Sequence, residues 1–187
     1  VEELKRLKIE IVRPSINESY ADFVSEKGKI YYALSAIKSV GKDAVSNIIK
    51  ERKKNGKFKT LNDFIKRANP KDINKLQLEG LVKAGAFDEL FSDRESLLKA
   101  IPKIIQVNKT LWEEKTSNQT SLFSNKPENE ETVFKIKNKE NVSKKDILLN
   151  EFQSIGFYMS DHPLNIYKDY FEELKIKSFL SYVESPE

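Results

Sequence analysis

Residues 34–52 read LSAIKSVGKDAVSNIIKER, and the fold turns on how this stretch is read. Apolar Leu34 and Ile37 lead into a short Ser39-Val40-Gly41 turn, after which Ala44, Val45, Ile48 and Ile49 recur at helical spacing. The spacing predicts two helices joined by a tight hairpin. Gly41 can take a positive φ at no steric cost, so the chain can reverse there and leave the amides at the start of the second helix pointing outward. Such a concavity suits a phosphate, because unpaired N–H groups and the positive end of the helix dipole converge on it. A plain helical corner without a ligand is the simpler reading. The flanking Lys38 and Lys42, and the run Lys50, Arg52, Lys53 and Lys54, favour the phosphate.

The totals agree with a polyanion partner. The chain of 187 residues is 39% hydrophobic, enough for one large domain or two small ones, and carries a net charge of +4. Residues 34–90 hold 13 Lys and Arg against seven Asp and Glu, so the excess is concentrated around the hairpin. A lysine-rich solvated surface would give the same count. The absence of cysteine excludes disulfides and thiolate metal sites, and the single histidine, His162, reads as a loop residue with no partners for zinc or catalysis. Without an apolar run of about 20 residues or a signal segment, the sequence predicts a cytoplasmic protein with no membrane partner. The opening at Val1, inside an amphipathic EELKRL turn, reads as part of something longer.

Residues 1–7 read as the end of a helix. IEIVRP and ADFVSEKGKIYYAL then predict short strands around a Glu26-Lys27-Gly28 turn, with Asn17, Glu18 and Ser19 in a polar turn between them. Beyond the hairpin, Asn55 and Gly56 close a helix, and Thr60 with Asp63 caps LNDFIKRA, which Pro70 stops. Asp72 is the expected cap of INKLQLEGLVKAG, with Ile73, Leu76, Leu81 and Val82 on its apolar face, and a second hairpin follows near residues 83–87. Ser92 and Glu95 form a capping box for a helix in which Pro102 predicts a kink or a break. Residues 113–146 are too polar to order themselves and read as a flexible linker. Ser143 and Asp146 then cap DILLNEFQSIG, with Ile147, Leu148, Phe152 and Ile155 inward, and a further helix starts near Pro163. SFLSYVESPE reads as a first strand of a following domain.

Within the linker sits QTSLF, where Gln119 precedes the apolar pair Leu122 and Phe123. An apolar pair in a solvated tract gains nothing for the chain itself, and a partner's pocket would explain it. Folding back onto the helix near Trp112 would explain it equally well.

Taken together these stretches carry a family resemblance. Residues 34–52 resemble the helix-hairpin-helix motif of DNA-binding proteins, with Ser39 in place of the usual first glycine. IEIVRPSINES, the hairpin region, NKLQLEGLVKAGAFDEL, QTSLF and IGFYMSDHPL follow in the order of the alpha subunits of bacterial replicative C-family polymerases. Asp161 stands where a glycine is common in that family. The resemblance implies a mainly α chain with a small β element: the end of the fingers (1–33), a tandem helix-hairpin-helix and clamp-binding domain (34–112), a flexible linker with a clamp-binding peptide (113–146), and C-terminal helices leading to an absent OB domain (147–187). It implies duplex DNA held by Lys38, Ser39, Val40, Gly41 and Lys42, with Lys83 and Gly85 of the second hairpin either touching neighbouring phosphates or purely structural. It also implies a sliding clamp bound by Gln119, Leu122 and Phe123, and contact with other replicase subunits. Catalysis in that family belongs to palm carboxylates that bind two metal ions, Mg in the parent enzyme, and no such set occurs here; Asp88, Asp93 and Asp161 read as turn and cap residues. A helix-hairpin-helix repair enzyme is a competing reading, but NGKFKTLNDF lacks the proline of its loop, and Asp63, which stands where a catalytic Asp would follow, reads better as a cap. A protein-binding scaffold with two purely structural hairpins is the third.

Overall fold

Lys27 and Gly28 both hold left-handed backbone, with φ of 52° and 75°, and this two-residue turn has the right-handed twist that a tight hairpin needs. It joins β2 (Val24–Glu26) to β3 (Lys29–Tyr31), with Val24 opposite Tyr31. Strand β1 (Glu10–Val12) adds in parallel on the other side of β3, and Glu10 meets the Lys29 ammonium at 2.9 Å. This computed structural model describes residues 4, 6–116, 136, 143–177 and 182–183.

The rest is helical: a 3-10 turn (Leu34–Ala36), α1 (Lys42–Asn55), α2 (Leu61–Arg67), α3 (Lys75–Lys83), α4 (Arg94–Thr116), α5 (Lys144–Ile155), a second 3-10 turn (Pro163–Tyr167) and α6 (Lys168–Glu173). The mainly α class with a small β element is therefore what the chain adopts. The first helix of the expected hairpin is only the 3-10 turn, because the Leu34 and Ser35 amides bond back to the carbonyls of Tyr20 and Ala21. Thr60 and Ser143 cap α2 and α5 as their spacing predicts. Two other caps differ. Asn74, not Asp72, accepts from the Gln77 amide at the start of α3, while Asp72 holds the Asn47 side chain. Asp93 accepts from the Ser96 amide at the start of α4, in the place expected of Ser92.

Pro102 does not break α4, which runs through it to Thr116 and so carries helix four residues into the tract expected to be linker. Leu76 is 63% exposed and Leu78 takes its place inside, where it lines a small cavity with Phe64 of α2 and Leu97 of α4. On α5 only Leu148 of the four expected apolar residues is fully buried; Phe152 is exposed, and Glu151 and Ser154 are inside. Tyr182 and Val183, the described residues of the expected C-terminal strand, are helical.

One core crosses the expected boundary at residue 33. Ile16 and Tyr32 share it with Val45, Ile48, Phe64, Leu81, Phe87, Leu97 and Ile101. Phe58, Phe64 and Phe87 form a chain of edge-to-face rings at 5.2 and 4.9 Å, the arrangement that aromatic quadrupoles favour. The turn at Asn17 to Ser19 is polar in sequence yet buried. Asn17 both donates to the Phe58 carbonyl and accepts from its amide, at 2.9 Å each, and Arg52 donates to the carbonyls of Ile16 and Ser19. Asn17 and Arg52 are thus matched, as burial demands.

Gly80 seats α3 against the first hairpin. A Cβ at this position would stand 2.6 Å from the Lys38 carbonyl oxygen and 3.1 Å from Val40. Gly80→Ala should therefore push α3 off the hairpin and cost about 1–3 kcal/mol, read as a lower midpoint in chemical denaturation. An unchanged midpoint would mean that the close approach carries no constraint.

Candidate nucleic-acid interface

The hairpin between the 3-10 turn and α1 is built around Lys38. Its amide donates to the Ser154 carbonyl at 2.9 Å, filling one of the acceptors left open in the last turn of α5. Its carbonyl lies against Gly80. With this residue held at both its amide and its carbonyl, the chain reverses at the next residue: Ser39 takes φ 68°. The positive φ expected at Gly41 thus sits two residues earlier. Gly41 has φ −76° and ψ 139°, ordinary extended backbone. Its lack of a side chain serves proximity instead, since a Cβ would come within 3.3 Å of the side-chain Nε2 of Gln77 on α3.

Gly41 is the N-cap of α1, and no side chain caps that end. Ser39, Gly41, Lys42 and the Lys38 side chain are all exposed, whereas Val40 is buried and its amide is bonded to the Ile37 carbonyl. The donors directed outward are therefore those at the start of α1, and Val40 acts as an apolar anchor. Lys42 is held by Asp22, with Nζ 2.9 and 2.7 Å from its two carboxylate oxygens. Both side chains are more than 60% exposed, and such pairs contribute about 0–1 kcal/mol, so an incoming phosphate can displace Asp22 at little cost. Arg52 does not belong to this cationic face. It is 8% exposed, donates into the Ile16–Ser19 turn, and burial draws its pKa below the usual guanidinium value.

The second hairpin differs. Gly85 has φ 81° and is buried, and a Cβ there would collide with the Arg94 guanidinium. The amide of Gly85 bonds to Val82 and that of Ala86 to Leu81. Arg94 closes over the turn, meeting Asp88 in two parallel hydrogen bonds of 2.7 and 2.6 Å and donating to the Lys83 carbonyl at 3.2 Å. Lys83 itself is half-buried. On the far side of Arg94 stands Glu151 of α5, 1% exposed, at 3.8 Å. Its other oxygen accepts from the amides of Met159 and Ser160 and from the Ser160 hydroxyl.

Through Glu151 the IGFYMSDHPL segment is thereby tied to Arg94 and the second hairpin. His162 caps the second 3-10 turn by accepting from the Leu164 amide, the local role expected of it. The Lys144 ammonium, with Asn165 and the His162 amide, holds the Asp161 carboxyl at about 2, well below its ordinary value. Sequence reasoning missed Gly80, Arg94 and Glu151. A glycine inside a helical pattern is a signal of close packing, but the buried ion pair has none. Gln119, Leu122 and Phe123 lie outside the described residues. Among the described residues, no three His, Asp or Glu side chains gather to hold a metal ion. No helix among them is long and apolar enough to cross a membrane.

Comparison with known proteins agrees with this geometry. A helix-hairpin-helix motif family matches residues 8–97. The DNA polymerase III subunit alpha of Borreliella burgdorferi is 35% identical over 97% of this chain and 16% of its own length. That of Campylobacter jejuni is 38% identical over 88% of the chain and 14% of its own, and that of Caulobacter vibrioides 31% identical over 87% and 14%. The chain thus spans about one-sixth or less of the curated relatives it matches, and over that span it belongs to the family of bacterial DNA polymerase III alpha subunits.

Proposed function

We propose that this segment grips duplex DNA by its phosphates for a cytoplasmic DNA-directed DNA polymerase and, through residues 119–123, tethers that enzyme to a sliding clamp. The observation that carries the DNA reading is the exposed, uncapped start of α1 at Gly41, flanked by Lys38 and Lys42. Amides at a helix start meet a phosphate without reading a base, so the grip is independent of sequence and suits an enzyme that must move along its template. The first hairpin is the contact in this reading, and the second, closed by Arg94, is its support. The segment holds DNA and leaves nucleotidyl transfer to other parts of the parent, whose remaining subunits are further partners. The same preparation that binds DNA should extend no primer.

Titration of a labelled duplex with the chain should give an affinity that falls with salt at a log–log slope of about −0.9 per neutralised phosphate. Lys42→Glu should weaken binding several-fold for every sequence tried. A salt-independent affinity, or one that Lys42→Glu leaves unchanged, would remove the hairpin from the interface.

The clamp reading rests on QTSLF alone, where a glutamine and an apolar pair offer a directional hydrogen bond and a greasy anchor. The chain should bind a ring-shaped bacterial clamp in surface plasmon resonance, and a Leu122→Ala, Phe123→Ala double variant should lose that binding. Retention by the double variant would place the contact elsewhere.

A further inference from the structure

The carboxyl half of α1 borders a cleft of about 350 Å³ on the side away from the hairpin, lined by Lys50, Lys54, Phe58, Arg67 and, from α4, Trp112. Its charges are unevenly engaged. Arg67 is consumed within the chain: it pairs with Glu51 and Asp63, donates to the Gly56 carbonyl, and lies 4.4 Å over the Phe58 ring. The two acids at the rim are engaged as well, Asp72 by Asn47 and Glu51 by Asn55 and Arg67. Against burial, which raises it, those hydrogen bonds and the nearby Lys54 hold the Glu51 carboxyl below its usual value, so it stays ionised and paired. Lys50 and Lys54 are exposed and make no ion pair or hydrogen bond among the described residues. Trp112 is part-buried at the same cleft.

Two available ammonium groups beside an indole match what single-stranded nucleic acid requires, a charged track for phosphates with an aromatic face for a base. The volume is that of a small-ligand pocket. A docking peptide would call for an exposed strand edge or an apolar groove, and this cleft is walled by helices with cationic heads. We propose that it is a second nucleic-acid site, taking one unpaired nucleotide with its base against Trp112 and its flanking phosphates on Lys50 and Lys54. This goes beyond the duplex grip and uses none of its residues. Lys42 and Lys54 are about 18 Å apart along α1, more than a Debye length at physiological salt.

Trp112 is the chain's single tryptophan and so reports on the cleft directly. Titration of the whole chain with an oligothymidylate of about eight nucleotides should quench its emission to saturation. Lys50→Gln with Lys54→Gln should weaken the binding roughly 10-fold at low salt and reduce the salt slope by about 1.4, at about 0.7 per phosphate. Trp112→Phe, followed by anisotropy of a labelled oligonucleotide, should also weaken it, with far-ultraviolet circular dichroism confirming the fold of each variant. Lys42→Glu should leave the quench within about twofold while it weakens duplex binding, which separates failure of this site from failure of the hairpin. Absence of quenching, or quenching indifferent to the two lysines, would overturn the proposal. Quenching by an acidic peptide and not by the oligonucleotide would overturn it too, and make the cleft a protein-docking site.

Discussion

One residue, Lys38, holds the arrangement together. The amide of Lys38 is bonded by the end of α5 and its carbonyl is pressed against Gly80 of α3. A chain fixed at both faces of one residue must reverse immediately after it, and Ser39 does so in a left-handed conformation that an L-residue adopts at a cost of about 1–2 kcal/mol. Such a cost persists only where surroundings over-determine the backbone. Here they do, because releasing Ser39 would undo the α5 contact and the α3 packing together. The consequence is an α1 start whose position is set by the core while its amides face solvent.

The two hairpins divide the work. The first exposes an uncapped helix end; the second is closed by Arg94, whose bidentate pair with Asp88 and proximity to buried Glu151 knit α3, α4 and α5 together. Buried ion pairs are poor net stabilisers when compared with apolar replacements, but removing one member of such a pair typically costs about 3–5 kcal/mol. That asymmetry makes Arg94 and Glu151 a latch. α5 answers to both hairpins, through Ser154 to the first and through Glu151 to the second, so this helix is built into the same body.

Much of this was legible in the sequence and the rest failed for identifiable reasons. The Lys27-Gly28 turn, the Thr60 and Ser143 caps, and the hairpin at residues 37–41 follow from local chemistry, and local chemistry is what a sequence displays. The start of α4 lies one residue beyond the place that Ser92 predicts because Asp93 caps as well as a serine does. Arg52 was grouped with its lysine neighbours because charge runs look alike in sequence, whereas its carbonyl partners lie 33 to 36 residues earlier. Leu76 and Phe152 looked like core residues since apolarity alone does not say which face a helix turns inward, and Glu151 was invisible because its burial depends on Arg94, 57 positions away. The positive φ falls on the serine and not on the glycine of the turn because tertiary contacts impose it there.

The central claim is that a pinned hairpin offers the first amides of α1 to a phosphate. The most direct test is an amide chemical-shift titration of the isotope-labelled chain with a short duplex. The account predicts that the largest shifts fall on Ser39, Gly41, Lys42 and Asp43, with the amides of residues 83–87 nearly still. Shifts centred on residues 83–87, with the start of α1 unmoved, would contradict it.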